Sequence, residues 1–424
     1  MIKIILLVVF YFTFPLVIIF FCQKWSILQK LGTIVFAYLF GLFLGTVGIF
    51  PEGSNQYKLA LQGRAALPKT EIESLINKGI IPVEDRFVNQ IGTVQDLIPS
   101  VVVPLAFPLL LFSLNLKRWL RYAKKGFISV ALAIIAGLVM VTAGFFIWKD
   151  SIPDSWKLAG MFEGIYTGGT PNFVAIKMAL NVDPNLFVIV STYDMVVGAG
   201  LVLFFITIAP RIFRYILPKF TEEKGISVEA GLIAKETENL DDFSGMLNKK
   251  TILPLLKALG ISVVIFAISG GISLLLPMLP QMVVVILSIT TLAIFASMIK
   301  SINKIEKTFQ LGMYLILVFS LTIASMADLK SMFGIGMLPL ILFISWCYFG
   351  SLILHLILAK IFRIDADNFL ITATAFIFSP PFVPLVANAL KNKDVIVTGI
   401  TGGIIGYILG NYFGVALAYF LKGF

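Results

Sequence analysis

Ionisable side chains are rare inside the apolar stretches of this chain, and the few present are where chemistry could be done. Asp194 lies near the middle of a long apolar run, within STYDMVVGAG. Glu163 and Lys177 flank the break in YTGGTPNFVAIK, residues 166–177. A carboxylate inside a nonpolar span is costly unless it holds a cation, a proton or a partner. Asp194 is therefore the leading candidate for cation or proton coupling, with sodium as a candidate ion; purely structural pairing is the alternative. Glu163 precedes the break by about one helical turn. It either faces the same cavity or sits at the outer water boundary. Lys177 would neutralise one of these carboxylates or attract an anionic solute, structural pairing being the plainer role.

Further along, Asn388 and Asn411 fall near positions equivalent to the interrupted segment and to Asp194, and Ser379, Thr374 and Thr401 are weaker candidates. They would complete a carbonyl-rich cation site, or simply hydrogen-bond helices together. His355 is the single histidine, and a hydrogen-bonded or interfacial role is favoured over a proton relay. Cys22 and Cys347 both lie in apolar runs and read as small packing residues. One histidine and two distant cysteines do not make a zinc or haem site. Nucleotide-binding, Ser/His/Asp and paired-aspartate signatures are missing from the sequence, so no enzyme, resident cofactor or firm metal site is expected.

These residues sit in a chain of 424 amino acids that is 58% hydrophobic and 13% charged, with a mean hydropathy of +0.97. A soluble fold cannot hide that much apolar surface. The expected class is an all-α polytopic membrane protein. The net charge of +10 is spread over short loops, which fits cytoplasmic loops and not nucleic-acid binding. Ten apolar runs are long enough to span: 2–22, 31–50, 93–116, 126–148, 184–209, 251–277, 281–299, 308–327, 333–359 and 396–421. The first is too long for a secretion signal and lacks a small-residue cleavage site, so it reads as a retained span. Segments 155–182 and 367–390 are apolar but interrupted by Gly, Pro and Asn. If both re-enter and the N-terminus is outside, the inner short loops hold most of the Lys and Arg found in short loops, including all five of KRWLRYAKK; if both cross, the bias vanishes. The re-entrant arrangement is expected. The longer loops 51–92 and 210–250 read as connectors, interfacial helices or subunit contacts.

The two interrupted segments resemble each other. Pro171-Asn172-Phe173-Val174 aligns with Pro380-Pro381-Phe382-Val383, and both segments end in Ala-Leu. Each half, 1–209 and 251–424 about a cytoplasmic linker at 210–250, has four spans, a break and a fifth span. Five crossings place the second half upside down, the inverted repeat of secondary transporters. Interrupted backbone is tolerable only where it lines an enclosed, hydrated site. Gly168 and Gly169 would let the chain turn and approach a solute, Pro171 would stop the helix, and Thr170 and Asn172 would supply hydrogen-bonding groups. An ordinary kinked helix is the alternative.

GGTPNFVAIK within this span pattern resembles the YjcL-type family of membrane proteins over most of the chain, and more distantly the sodium:glutamate and citrate symporters. The latter resemblance implies Gly-rich re-entrant hairpins, a dimerisation scaffold, a mobile transport unit and elevator motion, hence a homodimer. The first break matches with Gly168-Gly169; the second departs, with SPPF in place of a glycine pair. The favoured function is a secondary transporter of a small anionic solute (an amino acid, carboxylate or small peptide), coupled to sodium or protons, in a bacterial cytoplasmic membrane. A cation:proton antiporter or channel-like protein without an organic substrate is the alternative, and a receptor or intramembrane enzyme the third class.

Overall fold

The computed structural model describes residues 2–25, 32–61, 64–113, 124–220, 242–326 and 337–424. Asn115, most of the basic run 117–125, Lys330 and residues 221–241 of the expected linker lie outside them. Every regular element among the described residues is helical. Long unpunctuated runs of Leu, Ile, Val and Phe, apolar on all sides, leave no polar face for a water-exposed surface helix or an alternating strand. Among the described residues eight helices are long and apolar enough to cross a membrane. Two of the ten expected spans are shorter as helices. The run 31–50 gives Thr33–Thr46, 14 residues, and 281–299 gives Gln281–Ser297, 17 residues. Gly32 at a positive φ and Pro280 set their N-terminal limits.

The helices are α1 Ile2–Lys24, α2 Thr33–Thr46, α3 Asn55–Leu61, α4 Lys69–Asn77, α5 Asp85–Phe112, α6 Lys124–Trp148 and α7 Ser155–Ala179. They continue as α8 Pro184–Thr207, α9 Ala209–Ile216, α10 Lys249–Leu275, α11 Gln281–Ser297, α12 Lys300–Asn303 and α13 Thr308–Ser325. The last are α14 Met337–Ser345, a π-helical turn Trp346–Gly350, α15 Ser351–Ile361, α16 Ala366–Ile377, a 3₁₀ turn Pro380–Phe382, α17 Val383–Leu390 and α18 Ile396–Leu421. The chain forms two compact units, one of residues 1–106, 181–192 and 312–335, the other of 107–180, 193–311 and 336–424.

In the first unit Tyr11 meets Ser325 at 2.6 Å and accepts from Gln95 Nε2 at 2.8 Å, tying three helices through one buried polar knot. Helices α3 and α4 pack Tyr57, Leu67, Ile72 and Ile81 into a small core of their own. Asn89 holds the segment in place by accepting from the Tyr57 hydroxyl and pairing with both backbone groups of Leu67. Asp85 accepts from the Ser54 amide and hydroxyl. The expected connector at 51–92 is thus a built element.

In the second unit both interrupted segments fold back on themselves. Residues 160 and 180 of a continuous helix would stand about 30 Å apart, yet the Cβ position of Gly160 is 3.3 Å from Leu180. Gly164 likewise faces Ile176, and Gly168 faces Asn172. The break falls at Gly169, with φ 67° and ψ −162°. The second hairpin is α16, the 3₁₀ turn and α17, and its two ends are clasped together. Arg214 donates to both oxygens of Asp367, at 2.8 and 2.9 Å, at the start of α16, and to the Leu390 carbonyl, at 2.7 Å, at the end of α17. Asn392 donates to the same carboxylate.

Helix α18 is the surface on which both hairpins rest. Gly399 and Gly403 of α18 meet Ile371, Val383 and Pro380 of the second hairpin. Gly406 meets the Thr167 carbonyl, Gly410 meets the side chains of Asn172 and Thr167, and Gly414 meets Ile176 and the backbone of Gly160 and Gly164, all in the first hairpin. A small-residue stripe of this kind allows backbones to approach closely. At Gly406 a Cβ would collide with the Thr167 carbonyl, a backbone atom that cannot rotate aside. Gly406→Val is therefore expected to abolish a monodisperse peak in detergent size-exclusion chromatography. The exposed Gly200→Val, with open space around it, is expected to leave that peak unchanged.

Candidate functional site

The two hairpin tips meet. The Cβ position of Gly169 is occupied by Ser379 Oγ, so only glycine fits opposite that serine. Both residues hold the same unusual backbone: Gly169 at φ 67°, ψ −162° and Ser379 at φ 78°, ψ 162°. This region is essentially reserved for glycine, and a serine held there stores about 1–3 kcal/mol of strain. The second positive-φ residue follows twelve positions later in each hairpin, at Asn181 and at Lys391. The backbone therefore pairs Gly169 with Ser379, Pro171 with Pro381 and Ala179-Leu180 with Ala389-Leu390. That is one residue away from the pairing of Pro171 with Pro380 suggested by the PNFV and PPFV strings. The missing glycine pair in the second segment is replaced by a strained serine doing the same turn.

The two tips offer different chemistry. The first resumes as a helix at Thr170, and a helix start carries unpaired N–H groups. In the second, Pro380 and Pro381 have no N–H, and the Phe382 amide donates to the Ser379 carbonyl at 3.2 Å. One side is thus rich in donors and the other in carbonyl oxygens. Asn172, fully buried, donates from Nδ2 to the Gly406 carbonyl at 3.0 Å and leaves its Oδ1 without a partner. Thr170 and Ser379 are half-buried at the junction.

The remaining candidates separate into groups. Asn411 is buried in α18, donates to Thr290 Oγ1 at 3.1 Å and leaves Oδ1 unpartnered. Thr401 is buried with its hydroxyl unpartnered, while Thr374 is satisfied by the Leu370 carbonyl. Asn388 lies on the exposed face of α17, level with Leu385. It is not part of the tip junction. His355 is fully buried, with Nε2 3.4 Å from Ser129 Oγ and its ring against Phe369. Cys22 and Cys347 are buried and free. Among the described residues no three His, Cys, Asp or Glu side chains converge as a metal site would need.

Asp194, half-buried on α8, accepts a short hydrogen bond from the Tyr348 hydroxyl. Glu163 is completely buried, and neither carboxyl oxygen has a hydrogen-bond partner. It lies against Gly137 of α6, whose Cβ position is 3.1 Å from Oε2. Lys177 is buried on the returning arm, its Nζ 4.0 Å from Met178 Sδ. Sequence reasoning missed Tyr348, which is supplied by the π-helical turn, and Gly137, which makes room for Glu163. The glycine spacing of α18 was a readable signal that pointed to close backbone contact.

These features define an integral membrane protein of many apolar helices with a buried polar junction between two helical hairpins. A family model described as "Protein of unknown function (DUF819)" matches residues 85–424, and the chain belongs to that family. It is also 26% identical over 360 residues to the "Uncharacterized membrane protein YjcL" of Bacillus subtilis, covering 82% of this chain and 87% of that protein.

The strained Ser379 and the crowded Gly169 make opposite predictions. Ser379→Gly relieves about 1–3 kcal/mol of backbone strain, partly offset by the greater freedom of an unfolded glycine, about 0.5–1 kcal/mol. It is expected to raise the thermal unfolding midpoint in detergent. Gly169→Ala is expected to lower it. Adding Ser379→Gly to Gly169→Ala removes the clash but not the dihedral strain, and is expected to recover only part of the loss.

Proposed function

We propose that the protein is a secondary active transporter of a small anionic solute, an amino acid, carboxylate or small peptide, coupled to sodium or protons. The observation that carries this reading is the tip-to-tip contact of two interrupted hairpins at Gly169 and Ser379. Interrupted backbone in a nonpolar medium is stable only where protein or water covers it, and such breaks near the midplane are where transporters of this type bind. The donor-rich first tip, with Thr170 and Asn172, suits a carboxylate. The carbonyl-rich second tip and the free Oδ1 of Asn172 suit a cation. Asp194 is the candidate coupling residue in the same unit.

The matching pairs of positive-φ residues support an origin of the two halves in a repeat, and five expected crossings per half make that repeat inverted. The reading extends to an elevator movement of the unit that holds both hairpins, to a homodimer, and to a bacterial cytoplasmic membrane with the N-terminus outside. Cation:proton exchange without an organic solute is the second reading, favoured by the short contact between Asp194 and Tyr348.

Thermal unfolding of the purified full chain, scanned against L-glutamate, citrate and dipeptides with and without sodium, separates the two readings. Stabilisation by an organic anion supports the transporter. Ion flux in proteoliposomes that ignores every organic solute supports exchange and refutes it. Asp194→Asn is expected to abolish coupled uptake while leaving the size-exclusion profile unchanged; uptake at the wild-type rate removes Asp194 from the mechanism.

A further inference from the structure

Backbone donors and acceptors are unequally shared between the two hairpin tips, and proline sets the inequality. In a continuous helix the carbonyls of Phe376 and Ile377 would accept from the N–H groups of residues 380 and 381. Both of those residues are prolines and have no N–H. The next amide, that of Phe382, donates to the Ser379 carbonyl at 3.2 Å, and the Val383 amide donates to the Pro380 carbonyl. Pro384 follows, again without a donor. From 380 to 384 the second tip therefore has no backbone N–H to offer a ligand. The last carbonyls of α16 end there without helical partners, and they form the negative end of that helix dipole.

The first tip has the opposite bias. Its returning arm begins at Thr170 and runs to Ala179, so the positive end of a helix dipole lies at the junction with the Thr170 amide and hydroxyl. The Ser379 hydroxyl leans over Gly169 and joins this side. Asn172 points to a ligand independently. It is fully buried, and its Oδ1 has no partner. Its Cγ stands 2.6 Å from the Cβ position of Gly168, so the open acceptor lies beside the break and not further along the arm.

A positive and a negative helix end that meet in this way match a solute carrying both charges close together. A dicarboxylate or tricarboxylate would set one of its anionic groups against the bare carbonyls of the second tip. In a peptide the two charges are separated by at least one residue. In an α-amino acid they share a carbon. We propose that the junction takes the zwitterionic head of an α-amino acid, its carboxylate on the Thr170 side and its ammonium on the α16 carbonyls and Asn172 Oδ1. The inference rests on the transport reading of the same junction and narrows its substrate.

The test is thermal unfolding of the purified full chain in detergent, with sodium present, against the L-amino acids of proteins. Each is paired with its N-acetyl derivative, which keeps the carboxylate and loses the ammonium, and with its amide, which does the reverse. Succinate and citrate complete the set. At least one amino acid is expected to stabilise the protein, and both of its derivatives are expected to lose the effect. The probe changes and the protein does not, so misfolding cannot imitate the result. Equal stabilisation by the N-acetyl derivative overturns the proposal, because a bound sodium ion then replaces the ammonium. Stabilisation by succinate or citrate but by no amino acid also overturns it, and in both cases the transport reading stands. A protein stabilised by no organic solute overturns the proposal, and ion flux that ignores every such solute overturns the transport reading with it. Thr170→Val removes a junction hydroxyl and keeps the backbone amide. It is expected to retain the size-exclusion profile and to weaken calorimetric binding of the stabilising amino acid about tenfold, the worth of one hydrogen bond to a charged group. Unchanged affinity in that variant overturns the proposal.

Discussion

Backbone laid directly on backbone is the constraint from which the second unit is built. Along α18, glycines at 399, 403, 406, 410 and 414 remove the side chains that would otherwise hold neighbours apart. Apolar side chains gain little from meeting each other where the surrounding medium is equally apolar, so close van der Waals approach must supply the association. The first hairpin answers with its own stripe of Gly160, Gly164 and Gly168. The second answers with Pro380 and Val383. Because one helix seats both, the positions of their tips are set jointly, and the contact of Gly169 with Ser379 follows from that shared seat.

The same constraint decides the electrostatics. Tight packing excludes water from the first arm of the α7 hairpin, which leaves Glu163 with neither solvent nor donor. Gly137 contributes by letting α6 press on both Glu163 and Tyr166. Asp194 escapes the same isolation, being half-buried and paired with the Tyr348 hydroxyl. The second hairpin solves its polar ends differently: Asp367 is buried but fully engaged by Arg214 and Asn392. Two carboxylates at comparable depth thus carry opposite meanings. A satisfied pair fastens an element, while an unsatisfied acid retains the capacity to change state.

Much of this was legible in the sequence. Composition alone required a membrane protein, and the Gly-Gly-Thr-Pro and Ser-Pro-Pro strings marked both breaks to within a residue. The bias of Lys and Arg toward one set of loops favoured segments that return over segments that cross, and the chain does turn back at each. Other features were hidden for physical reasons. String matching aligned the prolines, whereas the backbone aligns the positive-φ residues, because the turn is set by Gly169 and Ser379 and the prolines merely follow. Tyr348 was invisible because a π-helical turn shifts the phase of the helix that carries it. Asn388 looked equivalent to a buried position but faces outward, since α17 is a short helix with one covered side. Arg214 and Asp367 are 153 residues apart, and nothing local announces their pairing.

The stripes on α7 and α18 share a four-residue interval, about 6 Å of helical rise. A surface with that period fits itself again after displacement by one interval. What prevents the shift is the set of side chains seated over those glycines: Thr167 and Asn172 at Gly410 and Ile176 at Gly414, with Asn172 also bonded to the Gly406 carbonyl. The seam that fastens the first hairpin is in that sense a graduated rule with three pegs in it, and the pegs, not the graduations, choose the setting.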